Sequence, residues 1–471
     1  MFIAMMLYLL LVLIRPQDYP ALVDSIGLPL QPIMLILAAG FWLLSPRKDF
    51  DAPHYPILLM FFGVLMVSHV FNGWFGGALE QLEKFAPVVL AFVVFANGLD
   101  RRSRILKTMA VFALCAAVLA VHGIEQQKTG IGWTGIELSQ GTRIQYVGIF
   151  NDPNDLGMLF VTCVPMAAYL SGRGGLMGLR RVFWLIVTGI LVYGVYLTDS
   201  RGSLLALLAV MGLYIWQRKG VLIAGALGAA AVAVLLALPS RFNEIDVEEA
   251  SAQGRVDSWY EGMQMFQAHP IFGVGPDMYS DYHHLTAHNS FVLIIAETGI
   301  IGFTLWLAFV VYSFRMMWAG SRPPVTPFWE EDASDAGLET PPTASRSDMT
   351  QAQLDQSDVE QIDIEQTDIE QTDVGQTDVG QAHIAEGRAI AMTLLLSLAG
   401  FFTSAFFLSR SYVIILYLLA ALVVAHYTDM ARDDPDLPRY SFANDALLWP
   451  VIGVGTAIFL YIMIKILLVM E

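Results

Sequence analysis

Cysteine is nearly missing: Cys115 and Cys163 are the only two in 471 residues, both inside apolar runs and without CxxC or metal-type spacing. That excludes a disulfide framework and a thiolate metal site, and leaves two small buried hydrophobes. Charge is scarce too, at 15% Asp, Glu, Lys and Arg, well short of what a soluble body of this size carries. Basic residues number 26 against 43 acids, so no nucleic-acid partner is expected. The opening "MFIAMMLYLLLVLI" lacks a basic n-region and a small-residue cleavage site, and reads as a retained first span rather than a signal peptide. On the outer side no DxD-type pair and no His/Asp cluster is suited to a divalent cation. Neither a metal nor another cofactor is expected.

What is abundant is hydrophobic sequence, 56% of the chain with a mean hydropathy of +0.56. The fold class expected is all-α, a polytopic helical bundle in a lipid bilayer. The net charge of −17 does not describe that bundle. Between Glu330 and Glu386 lie 16 acids and one base, Arg346, so this segment alone carries −15.

Thirteen apolar runs could span, near 1–14, 28–44, 55–71, 85–98, 105–123, 154–170, 182–198, 203–217, 220–238, 288–318, 388–408, 411–427 and 446–469. Some are short, so 12 or 13 transmembrane helices are expected. With the N-terminus cytoplasmic, the inner turns hold Arg47-Lys48, Arg101-Arg102 with Arg104 and Lys107, Arg173 with Arg180-Arg181, and Arg218-Lys219. Arg315 with Arg322 and Arg432 with Arg439 complete the series. Such an asymmetry fixes orientation. It divides the chain into N-terminal helices (1–123), a core with two long outer loops (124–318, loops 124–153 and 239–287), a linker (319–387) and C-terminal helices (388–471). The linker is Pro-rich, then acidic, with five pentads "DQSDV EQIDI EQTDI EQTDV GQTDV" from Asp355 to Val379. Five such units are too few to bury a stacked core, and a disordered cytoplasmic loop is expected.

Basic residues on the outer side run against that bias: Arg143, Arg201, Arg241, Arg255 and Arg410. For Arg241 an ordinary solvated position suffices. Arg201 sits in "TDSRGS", a turn so tight that it must lie at the membrane surface. In "GTRIQYVGIFNDPNDLG" the Asn and Asp flanking Pro153 make a turn, with Asn154 or Asp155 as helix cap. The turn needs no further role, and Arg143 upstream is its functional candidate. In "SAQGRVDSWYEGMQMFQAHPIFGVGPDMY" the spacing of Val256, Trp259, Tyr260, Met263 and Phe266 predicts an amphipathic helix lying on the outer leaflet. Pro270 ends it, and Gly273 and Gly275 shape the loop beyond. Arg255 is placed at the helix start, where a cation is unfavourable unless an anion shares the site.

"LTAHNSFVLIIAETGIIG" carries His288-Asn289 at the mouth of an apolar run and Glu297 within it. Polar groups there are costly and need a reason. His288 is either an interfacial residue or a general base. Glu297, on nearly the same helix face as Asn289 and Ser290, is either a satisfied structural carboxylate or a catalytic one. Arginines converging beside an imidazole suit a lipid-linked diphosphate, because guanidinium forks bind phosphate oxygens bidentately. A neutral imidazole can take the proton of an attacking hydroxyl.

In order and spacing, "DSRG", "GRVDSW", "HPIFGVGPDMY" and "AHNSFVLIIAETGIIG", with "GIFNDPNDLG" upstream, resemble the signature series of the O-antigen ligase and polymerase superfamily. "LIRPQDYP" and the overall layout are most similar to the O-glycosylation ligases associated with exosortase systems. The resemblance covers about Met1 to Trp318 and, by topology, the last spans. It implies a metal-independent, inverting glycosyltransferase on the periplasmic face of a bacterial inner membrane. The donor would be a glycan on undecaprenyl diphosphate and the acceptor a lipid or protein hydroxyl. By the same resemblance Arg201 and Arg255 bind the diphosphate with Arg143 as a further contact, His288 is the base, and Asn289 and Glu297 support the site from behind. A polymerase of the same superfamily uses the same donor chemistry. A lipid or polysaccharide transporter would instead show ionisable groups near the midplane and matching halves; intramembrane charges are few here, mainly Glu297 and Lys465, and no half is repeated.

Overall fold

The computed structural model describes residues 1–22, 28–46, 48–173, 178–237, 245–322 and 356–470, with side chains described outside 231–253, 356–380 and Met470. Arg47, Arg241 and the 323–355 part of the linker lie outside the described residues.

Every apolar run of the sequence is a helix. In chain order these are α1 (Phe2–Ile14), α2 (Leu30–Leu43), α3 (His54–Phe71), α4 (Phe75–Gly98), α5 (Arg102–Thr129), α6 (Pro153–Gly172), α7 (Leu179–Leu197), α8 (Arg201–Lys219) and α9 (Val221–Ala237). After them come α10 (Ile245–Ala268), the single turn α11 (Tyr279–Tyr282), α12 (Ser290–Ser321), α13 (Gln356–Ala405), α14 (Ile414–Asp433) and α15 (Leu448–Met470). Among the described residues, eight helices are long and apolar enough to cross a bilayer by length and composition: α3, α5, α6, α7, α12, the 381–405 part of α13, α14 and α15. The others are shorter, like α1 with 13 residues, or carry charge, like α4. Among the described residues there is no strand, only two isolated bridges in the 130–143 loop. The chain is thus a multi-pass, all-α membrane protein.

Of these eight, α6, α12 and α14 are the most enclosed, and α7 and α15 the least. Ion pairs close one end of the bundle. There Arg102 lies among Asp429, Asp433 and Glu386, and Asp445 joins Tyr312 to Arg315. At the other end gather the loops before α6, α8 and α12 and the 406–413 turn. Arg410 is clamped there by Asp155, and Ser290 Oγ donates to the Leu408 carbonyl at 2.6 Å.

Two features depart from the sequence expectations. α10 does not lie free on a leaflet: Trp259 and Met263 are buried, Trp259 edges onto Phe406, and the helix packs on α12 and α15. Its apolar stripe was thus built for protein, since a stripe of this kind does not itself tell protein from lipid. The pentad repeat, expected to be disordered, is helical from Gln356 and continues into the apolar part of α13 without a break. Gln and Glu are good helix formers, and no proline follows Pro342 before Ala405.

α12 is interrupted at Gly299, whose backbone is left-handed and extended (φ 62°, ψ −165°). Breaking a helix at that depth frees backbone groups that lipid cannot satisfy, at several kcal/mol each. The loop after α10 supplies the partners. Val274 N and Gly275 N donate to the carbonyls of Ala296 and Glu297 at 3.0 and 2.9 Å, and Ile300 N donates to Pro270 O at 2.9 Å. From α3, Ser68 Oγ donates to the Phe272 and Glu297 carbonyls, and Asn72 Nδ2 donates to Gly273 O. The approach leaves no room for side chains. A Cβ on Gly273 would meet the Glu297 carbonyl carbon at 2.2 Å, and one on Gly299 would meet that of Ile271 at 2.4 Å. Both glycines also have positive φ. Gly299→Ala and Gly273→Ala are therefore each expected to lose about 2–4 kcal/mol of stability, read as a lower thermal midpoint in detergent. Gly63→Ala, in α3 with open space around it, should stay within about 0.5 kcal/mol.

Candidate functional site

Three of the outer arginines meet. Arg143, Arg201 and Arg255, from the 130–152 loop, the first position of α8 and the third turn of α10, line one cavity of about 160 Å³. Asn154, Asp199 to Ser203, Ser404, Phe407 and Leu408 complete it.

Local structure explains how each is aimed. Asp152, not Asn154 or Asp155, caps α6: its Oδ1 accepts from Asn154 N at 2.7 Å, with Pro153 at the first helical position. The two residues expected as caps are thereby released. Asn154 Oδ1 accepts from Arg143 Nη2 at 3.0 Å while Arg143 Nε donates to Thr198 O at 3.0 Å, and Asp155 pairs with Arg410. Ser200 caps α8 by accepting from Ser203 N at 3.3 Å, so the positive end of that helix opens into the cavity. Arg255 is not at a helix start, because α10 begins ten residues earlier, at Ile245. The unfavourable pairing of a cation with a helix N-terminus falls instead on Arg201.

The electrostatics have one sign. Burial pulls the Arg255 guanidinium below its ordinary value, and Arg143 and Arg201 pull the same way against the opposing Asp152. Burial also lowers Arg143, opposed by Asp152 and Asp199. An anion between these groups would relieve both the repulsion and the desolvation. Ser404, on α13, adds a buried polar group to the same wall. It is 1% exposed, lines the cavity, and its hydroxyl has no hydrogen-bond partner, an arrangement that costs about 1–3 kcal/mol.

His288 is not among the residues that line this cavity, although the charge of Arg255 in its wall reaches the imidazole. His288 has a strained, left-handed backbone (φ 46°), of the kind that persists only where the surroundings impose it. Burial, and then the nearby Arg255 and Arg410, lower its pKa below the ordinary 6.5, with Asp152 opposing. Asn289 is the cap of α12, accepting from Phe291 N and Val292 N at 2.9 and 3.2 Å. It thus fixes the helix end from which His288 projects. Glu297, 1% exposed, is held by Tyr412 Oη at 2.9 Å and by the Tyr279 amide at 3.3 Å. It ties the 275–279 loop to the 406–413 turn and does not line the arginine cavity.

Residues 185–307 match the family model described as O-antigen ligase. No curated protein matches the chain. The matched segment is about a quarter of the sequence and contains Arg201, Arg255, His288, Asn289 and Glu297. It supports membrane glycan transfer of the O-antigen ligase or polymerase type. Arg143, Asn154, Ser404 and Arg410 stand outside the O-antigen ligase segment, yet the fold brings them to it. Ser404 and the Asp155–Arg410 clamp were missed from sequence. Arg410 had a visible signal, an outer arginine in a short turn, whereas nothing marks Ser404 among the serines of apolar helices.

An anion-binding cavity makes a specific demand of Ser404. Ser404→Val should leave the unliganded protein as stable as wild type or more so, because it removes an unpartnered hydroxyl. It should weaken pyrophosphate binding about 3–10-fold, measured by thermal shift against pyrophosphate concentration. Unchanged pyrophosphate affinity would remove Ser404 from the site.

Proposed function

We propose that the protein is an inverting glycosyltransferase of the O-antigen ligase type. It moves a glycan from undecaprenyl diphosphate to a lipid or protein hydroxyl on the periplasmic face of a bacterial inner membrane. The observation that carries this is the convergence of Arg143, Arg201 and Arg255 on the N-terminus of α8, with the charge of Arg255 felt at His288. The orientation rests on the basic turns, which fall at the bundle end opposite to that cavity.

In this mechanism the acceptor oxygen attacks the anomeric carbon from the face opposite the diphosphate. The His288 imidazole takes the hydroxyl proton. The bond from the anomeric carbon to the leaving oxygen breaks with its electron pair going to the diphosphate, and the anomeric configuration inverts. Arginines already in place stabilise that developing charge without reorganising, which is where an active site gains most. Their burial strengthens the effect. Asn289 and Glu297 act indirectly, holding the start of α12 and the loops around it.

The deciding experiment uses the purified chain in nanodiscs with a defined undecaprenyl diphosphate-linked glycan and candidate acceptors. His288→Ala should cut transfer by about 10²–10⁴-fold while donor binding persists; undiminished transfer would falsify the base assignment. Mass added to lipid or protein marks a ligase, and longer carrier-linked chains mark a polymerase.

The pH profile gives a separate check. The base must be neutral, and a folded pKa below the ordinary value keeps it neutral to lower pH. The acid limb of kcat/KM should therefore lie below about pH 6.5. Arg255→Gln removes one of the lowering charges and should move that limb upward.

A further inference from the structure

At the end of the bundle opposite the arginine cavity, the starts of α5 and α7 and the end of α6 border a hollow of about 390 Å³ against α13. Four basic side chains line it: Arg102 and Lys107 from α5, Arg173 at the end of α6 and Arg180 at the start of α7. Membrane insertion favours basic residues in turns on one side, but it does not require them to share a hollow or to go unpaired. Arg104, in the same turn, is satisfied locally by Asp100 at 2.8 Å and by the Phe2 ring.

Carboxylates within reach are fewer than the cations. Glu386, the one acid in the wall, is divided between Arg173 and Arg102, and Arg102 also meets Asp429 and Asp433 at 3.4 and 3.2 Å. Lys107 and Arg180 are exposed, and among the described residues neither is paired with a carboxylate. Both α5 and α7 start without a side-chain cap, so the partial positive charge of two helix ends adds to that of the side chains. The rest of the wall is apolar. Leu106, Ala110 and Leu170 lie one or two turns deeper than the arginines, and Trp184 follows Arg180 on the same face of α7. Next to them α7, one of the least enclosed spans, leaves Val182, Phe183, Leu185 and Ile186 exposed.

We propose that this hollow binds the phosphate head of an anionic phospholipid in the adjoining leaflet, with the acyl chains along the exposed face of α7. Basic hollows between spans suit such heads. Guanidinium and ammonium groups give charge-assisted hydrogen bonds to phosphate oxygens, while their stems lie against hydrocarbon. A soluble phosphate meets the same donors but gains nothing from Leu106, Trp184 or the apolar face of α7, and this favours the lipid. Such a site is independent of the reaction at the other end of the bundle.

The test is native mass spectrometry of the full chain in detergent, titrated with phosphatidylglycerol, cardiolipin, phosphatidylcholine or glycerol 3-phosphate. One variant combines Lys107→Gln with Arg180→Gln. The control combines Arg218→Gln with Lys219→Gln, which removes the same charge from the end of α8, outside the hollow. All four positions are exposed, so neither variant threatens the fold. Wild type should bind the two anionic lipids at least about 10-fold more tightly than phosphatidylcholine. The first variant should lose about 10–30-fold in that binding, since each basic group near an anionic lipid surface is worth about fivefold, and the control should stay within about 2-fold. Equal losses in both variants would mean diffuse attraction and overturn the proposal. No preference for anionic lipid in wild type, the result expected if the chain's own acidic linker fills the hollow, overturns it too. Glycerol 3-phosphate binding as tightly as phosphatidylglycerol would overturn the lipid as the source of the phosphate.

Discussion

The outer end of this bundle depends on the backbone hydrogen bonds between the 270–275 loop and the broken turn of α12. A helix cannot stop two turns inside a membrane unless its freed amides and carbonyls find partners. Here those partners come from the loop that leads from α10 toward Asp277 and Tyr279. Because the loop is continuous with α10, the lacing also fixes the helix that bears Arg255. Because the broken turn contains Glu297, it fixes the carboxylate that ties Tyr279 to Tyr412. Fold and site are thus anchored by the same few bonds, and glycine is required where the two backbones touch.

Charge placement is the second constraint. Arginines that repel one another in a half-buried cavity hold together only because the surroundings are rigid and partly compensating. Asp152 and Asp199 oppose the repulsion, while Asn154 and the Thr198 carbonyl hold Arg143 in place. This is preorganisation in the electrostatic sense: the cost of assembling like charges is met during folding, so an anion entering the cavity would meet donors already aimed. Directly behind the same turn Asp155 is paired with Arg410.

Much of this was legible beforehand, for reasons that differ residue by residue. The spans were readable because hydrocarbon demands long apolar runs, and the outer arginines because they violate a bias that the other turns obey. That Glu297 is buried in the bundle followed from helical phase. The cap at Asp152 was missed because the run from Asn151 to Asp155 offers four side chains able to cap, and only tertiary partners for Asn154 and Asp155 decide among them. The start of α10 was misplaced because its first turns have no apolar period. The break at Gly299 looked like any membrane glycine, since what distinguishes it is a loop that arrives from thirty residues away.

Ser404 and Arg410 lie beyond the long acidic stretch, late in the chain, while the three arginines and His288 all precede it. During synthesis the first 322 residues can insert with their positive groups in place and still lack two walls of the pocket. Competence therefore arrives as a late event of translation, once the helix ending at Ala405 has entered the bilayer. A chain that ends within the repeat has the three arginines without Ser404 and Arg410.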